Sequence, residues 1–164
     1  MRKNKVLLLL LSLLVLCSVL LTGCSFNISI GIDTPKRTVE VYIPDETQTD
    51  VTLVPIEIEL EDSMNDDKED FVLEALQEYS LISEDTYLRG YTSIGFTEPK
   101  VKLNFSESLL EDFNNSEYDS KVLMKCIVNS FWYNFEPSSL EITVDGEPIA
   151  VNGYTFESIY TSPM

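Results

Sequence analysis

The chain has 164 residues, 11 of them basic and 28 acidic, with no histidine and a formal net charge of −17. That balance excludes nucleic acid as a partner, because phosphate binding needs a basic face. The missing histidine removes together the usual general base, the usual metal ligand and the Ser/His and Cys/His nucleophilic pairs.

The first element is an address. Arg2, Lys3 and Lys5 precede an uncharged, leucine-rich run of 16 residues, Val6 to Leu21, which is the layout of a signal peptide. As a helix the run would cover roughly 24 Å, short of the roughly 30 Å of a bilayer's hydrocarbon core. Leu21-Thr22-Gly23-Cys24 follows directly and resembles the bacterial lipobox. The resemblance implies a diacylglyceryl thioether on Cys24, cleavage between Gly23 and Cys24, and a mature protein held on the extracytoplasmic face of the membrane. Two acyl chains suffice for stable anchoring where one is marginal.

Processing would leave eight basic against 28 acidic residues, a net of −20 over 141 residues. An anionic leaflet would repel so acidic a domain, which should stand off from the surface that holds its lipid. Cys17 leaves with the leader and Cys24 carries lipid, so Cys126 is the one remaining thiol. No intramolecular disulfide is then available, and stability must come from burial in one core.

Residues 24–37 read as the lipidated cysteine and a flexible tether, and 38–164 as one folded domain. From Thr38 the period is two: Val39, Val41 and Ile43 alternate with Glu40 and Tyr42, predicting a half-buried strand that ends at Pro44. A second strand spans Val51 to Leu60. Its apolar phase shifts at Val54-Pro55, which predicts a bulge or break there. The acidic run Glu61 to Asp70 lacks the glycine and terminal glutamate of a calcium loop. It reads instead as a helix start capped by Asp66 or Asp67, with no metal, ahead of a helix whose apolar face is Phe71, Val72, Ala75, Leu76 and Tyr79.

Leu81 to Gly90 reads as irregular, followed by strands around Tyr91 to Thr97 and Lys100 to Phe105, the latter with Lys100 and Lys102 outward. A second helix is predicted from Asp119 or Ser120 to Tyr133, because Val122, Leu123, Cys126, Ile127 and Phe131 recur at helical spacing. Cys126 on that stripe reads as a core residue. Leu140, Ile142 and Val144 form a third alternating stretch, and Asp145-Gly146 suits a two-residue hairpin with Ile149 and Val151 on the return. Asn152 to Met164 has no assignable element. The order strand, strand, helix, strand, strand, helix, strand predicts an α+β fold, two helices on one face of a mostly antiparallel sheet.

The second half, Lys100-Val101-Lys102-Leu103-Asn104-Phe105-Ser106, then a helix, then Leu140-Glu141-Ile142-Thr143-Val144-Asp145-Gly146, resembles the sporulation and spore-germination domain known as GerMN. Val39-Glu40-Val41-Tyr42-Ile43-Pro44 and the helix containing Glu74-Ala75-Leu76 extend the resemblance over about residues 38–148. Two departures are Gln77-Glu78-Tyr79, where members often carry Gly-Pro, and Thr92-Ser93-Ile94-Gly95, where they often carry a Pro-x-Gly-Thr loop. The resemblance implies no enzymatic activity and no cofactor beyond the lipid. It implies a scaffolding role for a membrane-anchored lipoprotein in an envelope complex of sporulation or germination. Trp132 and Tyr133, in the aromatic run Phe131 to Phe135, are the candidate interface, since aromatics anchor interfaces. A lipoprotein that binds a small ligand or a cation is the alternative.

Overall fold

A computed structural model describes residues 36–59 and 68–164. The predicted leader, Gly23, Cys24 and the capping residues Asp66 and Asp67 lie outside the described residues. Strands β1 (Lys36–Pro44) and β2 (Val51–Glu59) form an antiparallel ribbon, followed by helix α1 (Lys68–Glu78) and strands β3 (Leu88–Ile94) and β4 (Lys100–Phe105). Helices α2 (Ser108–Asn115) and α3 (Ser120–Phe135) lead to β5 (Ser139–Val144), then to three two-residue strands, β6 (Ala150–Val151), β7 (Tyr154–Thr155) and β8 (Ile159–Tyr160).

The main sheet has the order β3-β4-β5-β8. Its flanking pairs are antiparallel and its central pair, β4 with β5, is parallel in unbroken register from Lys100 opposite Ser139 to Phe105 opposite Val144. Parallel neighbours need a long crossover, and α2 with α3 supplies it. The fold is α+β as the element order predicts, with antiparallel pairing predominating. The correction is a third helix: α2 is two turns long, and only Leu109 and Phe113 bury its inner side, too short a run to register as a period.

One contiguous core joins Val39 and Val41 of β1, Val72 and Leu76 of α1, Val101, Leu103 and Phe105 of β4, Leu109 and Phe113 of α2, the apolar residues of α3 from Leu123 to Phe131, and Leu140, Ile142 and Val144 of β5. In α1, Leu73 is also buried, whereas Tyr79 lies past the helix end and is exposed. Leu81, Ile82 and Thr86, in the connection read as irregular, are buried as well.

The bulge expected at Val54-Pro55 does not form: the β1–β2 register runs without interruption from Lys36 opposite Glu59 to Pro44 opposite Val51. The reason is where Pro55 falls. Its partner across the ribbon is Glu40, whose backbone N–H and C=O turn outward to the Asn134 side chain. Glu40 and Pro55 are therefore a non-hydrogen-bonded pair, and the N–H that proline lacks would have pointed away from β1. An unbroken register also puts Leu53 on the outer face, 42% exposed, which accounts for the shift in apolar phase.

The Asp145-Gly146 turn forms, both residues at positive φ (50° and 84°), as a two-residue turn of this hand requires. The Val144 and Glu147 backbones close it. Its return stops there, because the next residue is Pro148, which cannot donate to a ladder. The place beside β5 goes to β8, with Leu140 opposite Tyr160. Ile149 and Val151 are buried, but β6 pairs with β7. That small hairpin turns at Asn152 and Gly153, again both at positive φ.

Candidate interaction surface

Helix α3 organises the surface. Asp119 caps its start, the Oδ1 atom accepting from the Lys121 N–H at 2.8 Å, and Glu136 ends it in the left-handed region, donating its N–H to the Trp132 carbonyl. Between the caps eleven of the sixteen residues are buried, so the helix is enclosed on most of its circumference. Of its buried polar residues, Ser130 and Asn134 stand one turn apart on one face. Ser130 Oγ accepts from the Tyr42 N–H at 2.9 Å and donates to the Cys126 carbonyl at 2.6 Å. Asn134 Oδ1 accepts from the Glu40 N–H at 3.2 Å, while its Nδ2 donates to the carbonyls of Glu40 (2.5 Å) and Ser130 (2.7 Å). Side chains of α3 thus occupy the edge of β1 where a third strand would pair, satisfying groups that would otherwise template association.

This docking sets the position of Tyr133. Its ring stacks on Tyr42, centroids 5.0 Å apart and planes 27° from parallel. On the same outer face of the ribbon, Tyr42 lies opposite Leu53, and Glu40 opposite Pro55. Tyr133 is 42% exposed. Burial, then the neighbouring Tyr133 and Glu40, holds the Tyr42 hydroxyl above the ordinary tyrosine range. Of the predicted pair, Tyr133 reaches solvent, whereas Trp132 is half-buried against the core. Phe131 and Asn134 are interior, the Phe131 ring meeting Phe105 edge-on at 6.0 Å. Lys68 lies over the Phe135 ring at 5.3 Å and donates to the Asn134 carbonyl. Sequence reading missed the partners Tyr42, Leu53 and Glu40, which are more than 70 residues from Tyr133; only the β1–α3 packing brings them together.

The polar residues of the quoted motif are bonded into the framework. Asn104 Oδ1 accepts from the Gly146 N–H at 2.8 Å and from Thr143 Oγ1 at 3.2 Å. Ser106 Oγ accepts from the Tyr87 N–H at 3.1 Å, and the Ser106 N–H donates to the Tyr87 carbonyl at 2.9 Å. Asp145 pairs with Arg89 at 2.9 Å and donates its N–H to the Phe105 carbonyl. These contacts bind the end of β4 to the turn after β5. Lys102 and Lys100 face solvent as expected, Lys102 pairing with Glu141 at 2.6 Å.

Cys126 is fully buried, and burial pushes its thiol up to about 12, the behaviour of a core residue. An open depression of about 520 Å³ lies between the end of α1 and the α2–α3 connection, lined among others by Leu81, Glu84, Asp112, Glu117 and Tyr118. Among the described residues no group of three or more acidic, cysteine or histidine side chains is placed to hold a metal, and no helix is long and apolar enough to cross a membrane.

The profile of the Germane family, described by sporulation and spore germination, matches residues 40–150, more than half of the chain. No curated protein matches the sequence. Two solved structures are similar in shape. The tandem GerMN domains of the sporulation protein GerM from Bacillus subtilis match at 18% identity and a TM-score of 0.46, over 75% of this chain and 44% of that one. The chain thus spans less than half the length of that relative. A Clostridium perfringens protein with a provisional lipoprotein designation matches at 16% identity and a TM-score of 0.42, over 79% of this chain and 86% of that one.

Proposed function

The chain belongs to the Germane family of sporulation and spore germination, and on that footing we propose that it is a membrane-anchored, non-catalytic lipoprotein that scaffolds an envelope protein complex. One observation carries the non-catalytic part. Asn104, Ser106 and Asp145, polar residues of the motif through which the resemblance reads, are bonded to backbone or paired with Arg89. A motif engaged in this way maintains a shape, and the docking of α3 on β1 presents Tyr133 at the surface. Anchoring rests on Leu21-Thr22-Gly23-Cys24, with the lipid on Cys24 and the domain on the extracytoplasmic face. The alternative, a small-ligand or cation-binding lipoprotein, draws its support from the open, acid-lined depression beside Tyr118.

Three variants of the full chain, expressed in sporulating cells, test the proposal. Cys24→Ala should lose acyl labelling and leave the membrane fraction. Tyr133→Ala should lose co-purifying envelope proteins with its melting temperature falling less than that of Trp132→Ala, since the ring is 42% exposed and forfeits chiefly its stack on Tyr42. Trp132→Ala should lower the melting temperature, because it opens a gap against the core. Retention of every co-purifying protein by Tyr133→Ala would overturn the interface, and membrane retention of Cys24→Ala would overturn the anchor.

A further inference from the structure

The chemistry of the Tyr42–Tyr133 surface narrows the kind of partner it takes. Two other aromatic faces of the molecule are already covered by cations: Lys68 lies over Phe135 at 5.3 Å and Lys121 over Tyr154 at 4.8 Å. Among the described residues no lysine or arginine lies over Tyr42 or Tyr133. Their rings are stacked 5.0 Å apart, with Glu40 close enough to raise the Tyr42 hydroxyl electrostatically. Leu53 and Pro55 lie across the ribbon from Tyr42 and Glu40, so the platform joins aromatic faces, one carboxylate and a short apolar strip.

We infer that this platform receives an arginine-bearing segment of a protein partner, an inference that rests on the interface reading of the preceding section. A guanidinium stacks on an aromatic face and pairs with a carboxylate at once, and its methylene stem covers apolar surface. Charge separates this occupant from the others. The mature chain carries eight basic against 28 acidic residues, so a second copy and an anionic bilayer are both repelled, whereas a basic segment is drawn in.

The test uses the full, lipidated chain in neutral detergent micelles at about 0.15 M salt, where long-range attraction is screened over about 8 Å. The eight tyrosines are labelled as 3-fluorotyrosine and assigned by single Tyr→Phe variants. The probe is a blocked hexapeptide alternating arginine and glycine, and citrulline replaces arginine in its uncharged counterpart. The Tyr42 and Tyr133 resonances should shift saturably with the arginine peptide and not with the citrulline one. Glu40→Gln and Tyr133→Leu should each weaken binding about two- to fivefold, the range of one exposed cation–aromatic or ion-pair contact. Equal, non-saturating shifts at all eight tyrosines, or equal binding of the citrulline peptide, would overturn the inference. If the peptide does not bind while Tyr133→Ala still loses co-purifying proteins, the cation falls and the interface stands. If Tyr133→Ala loses nothing, both fall.

Discussion

Replacing Asn134 by alanine removes the clamp that joins α3 to β1 and, through it, the register of Tyr42 against Tyr133. Three hydrogen bonds go at once: Glu40 N–H to Oδ1, and Nδ2 to the Glu40 and Ser130 carbonyls. Glu40 is half-buried, so its two orphaned backbone groups should each cost about 1 kcal/mol, the lower end of the range for unsatisfied buried groups. The lost packing of a side chain 7% exposed, less about 0.5 kcal/mol for alanine's better helix propensity, brings the expected total to about 2–3 kcal/mol. Ser130→Ala orphans only the Tyr42 N–H, at about 1 kcal/mol, partly offset by the better helix propensity of alanine, about 0.5 kcal/mol. Urea denaturation followed by circular dichroism would give both values. Asn134→Ala should cost at least twice as much as Ser130→Ala, and the two should be non-additive because both side chains bond neighbouring backbone groups on the same edge of β1, at Glu40 and Tyr42. A loss below about 0.5 kcal/mol for Asn134→Ala would refute the claim that this side chain holds the ribbon's edge.

Three further outcomes are expected. Gly95→Ala should destabilise the chain by about 1–3 kcal/mol in the same assay, since Gly95 sits at a φ of 106° and an added Cβ would lie 2.8 Å from the Glu98 carbonyl oxygen; an unchanged midpoint would contradict this. The Tyr160 hydroxyl is buried with no partner among the described residues, and burial pushes it up to about 12. A folded value above the unfolded one means that its stabilising contribution is intact below about pH 10 and lost on the way to about pH 12, on the order of 2 kcal/mol. Tyr160→Phe should flatten the fall over that window and be no less stable at pH 7; a steeper fall or a marked loss at pH 7 would refute it. Cys126, pushed up to about 12, should react with a thiol reagent at pH 8 only as fast as the chain unfolds, and rapid labelling of the native chain would contradict its burial.

What could be read ahead of the structure was local and periodic. The alternations of Val39-Val41 and Val101-Leu103-Phe105, and the helical spacing from Val122 to Phe131, each report one buried face within a few residues, and each is buried as read. Pro55 misled because proline in a strand is neutral or disruptive according to whether its N–H would face a partner, and that depends on Glu40, 15 positions earlier. The Asn152-Gly153 turn went unread although two-residue hairpins prefer that residue pair, because the strands on either side are two residues long and carry no period. The candidate surface was half legible. Aromatic richness marked Trp132 and Tyr133, but which of them faces outward depends on how Ser130 and Asn134 meet the edge of β1, a contact between segments some 90 positions apart.

The most direct test of the account is photo-crosslinking from position 133 in intact sporulating cells, with a benzoylphenylalanine replacing Tyr133 in the full chain and a second chain carrying it at the exposed Tyr87. The account predicts an adduct from position 133 alone, to an arginine- or lysine-bearing segment of another membrane or envelope protein, and its loss in a Glu40→Arg background that reverses the platform's charge. Adducts only to lipid, only to second copies of the chain, or equal at both positions would contradict it.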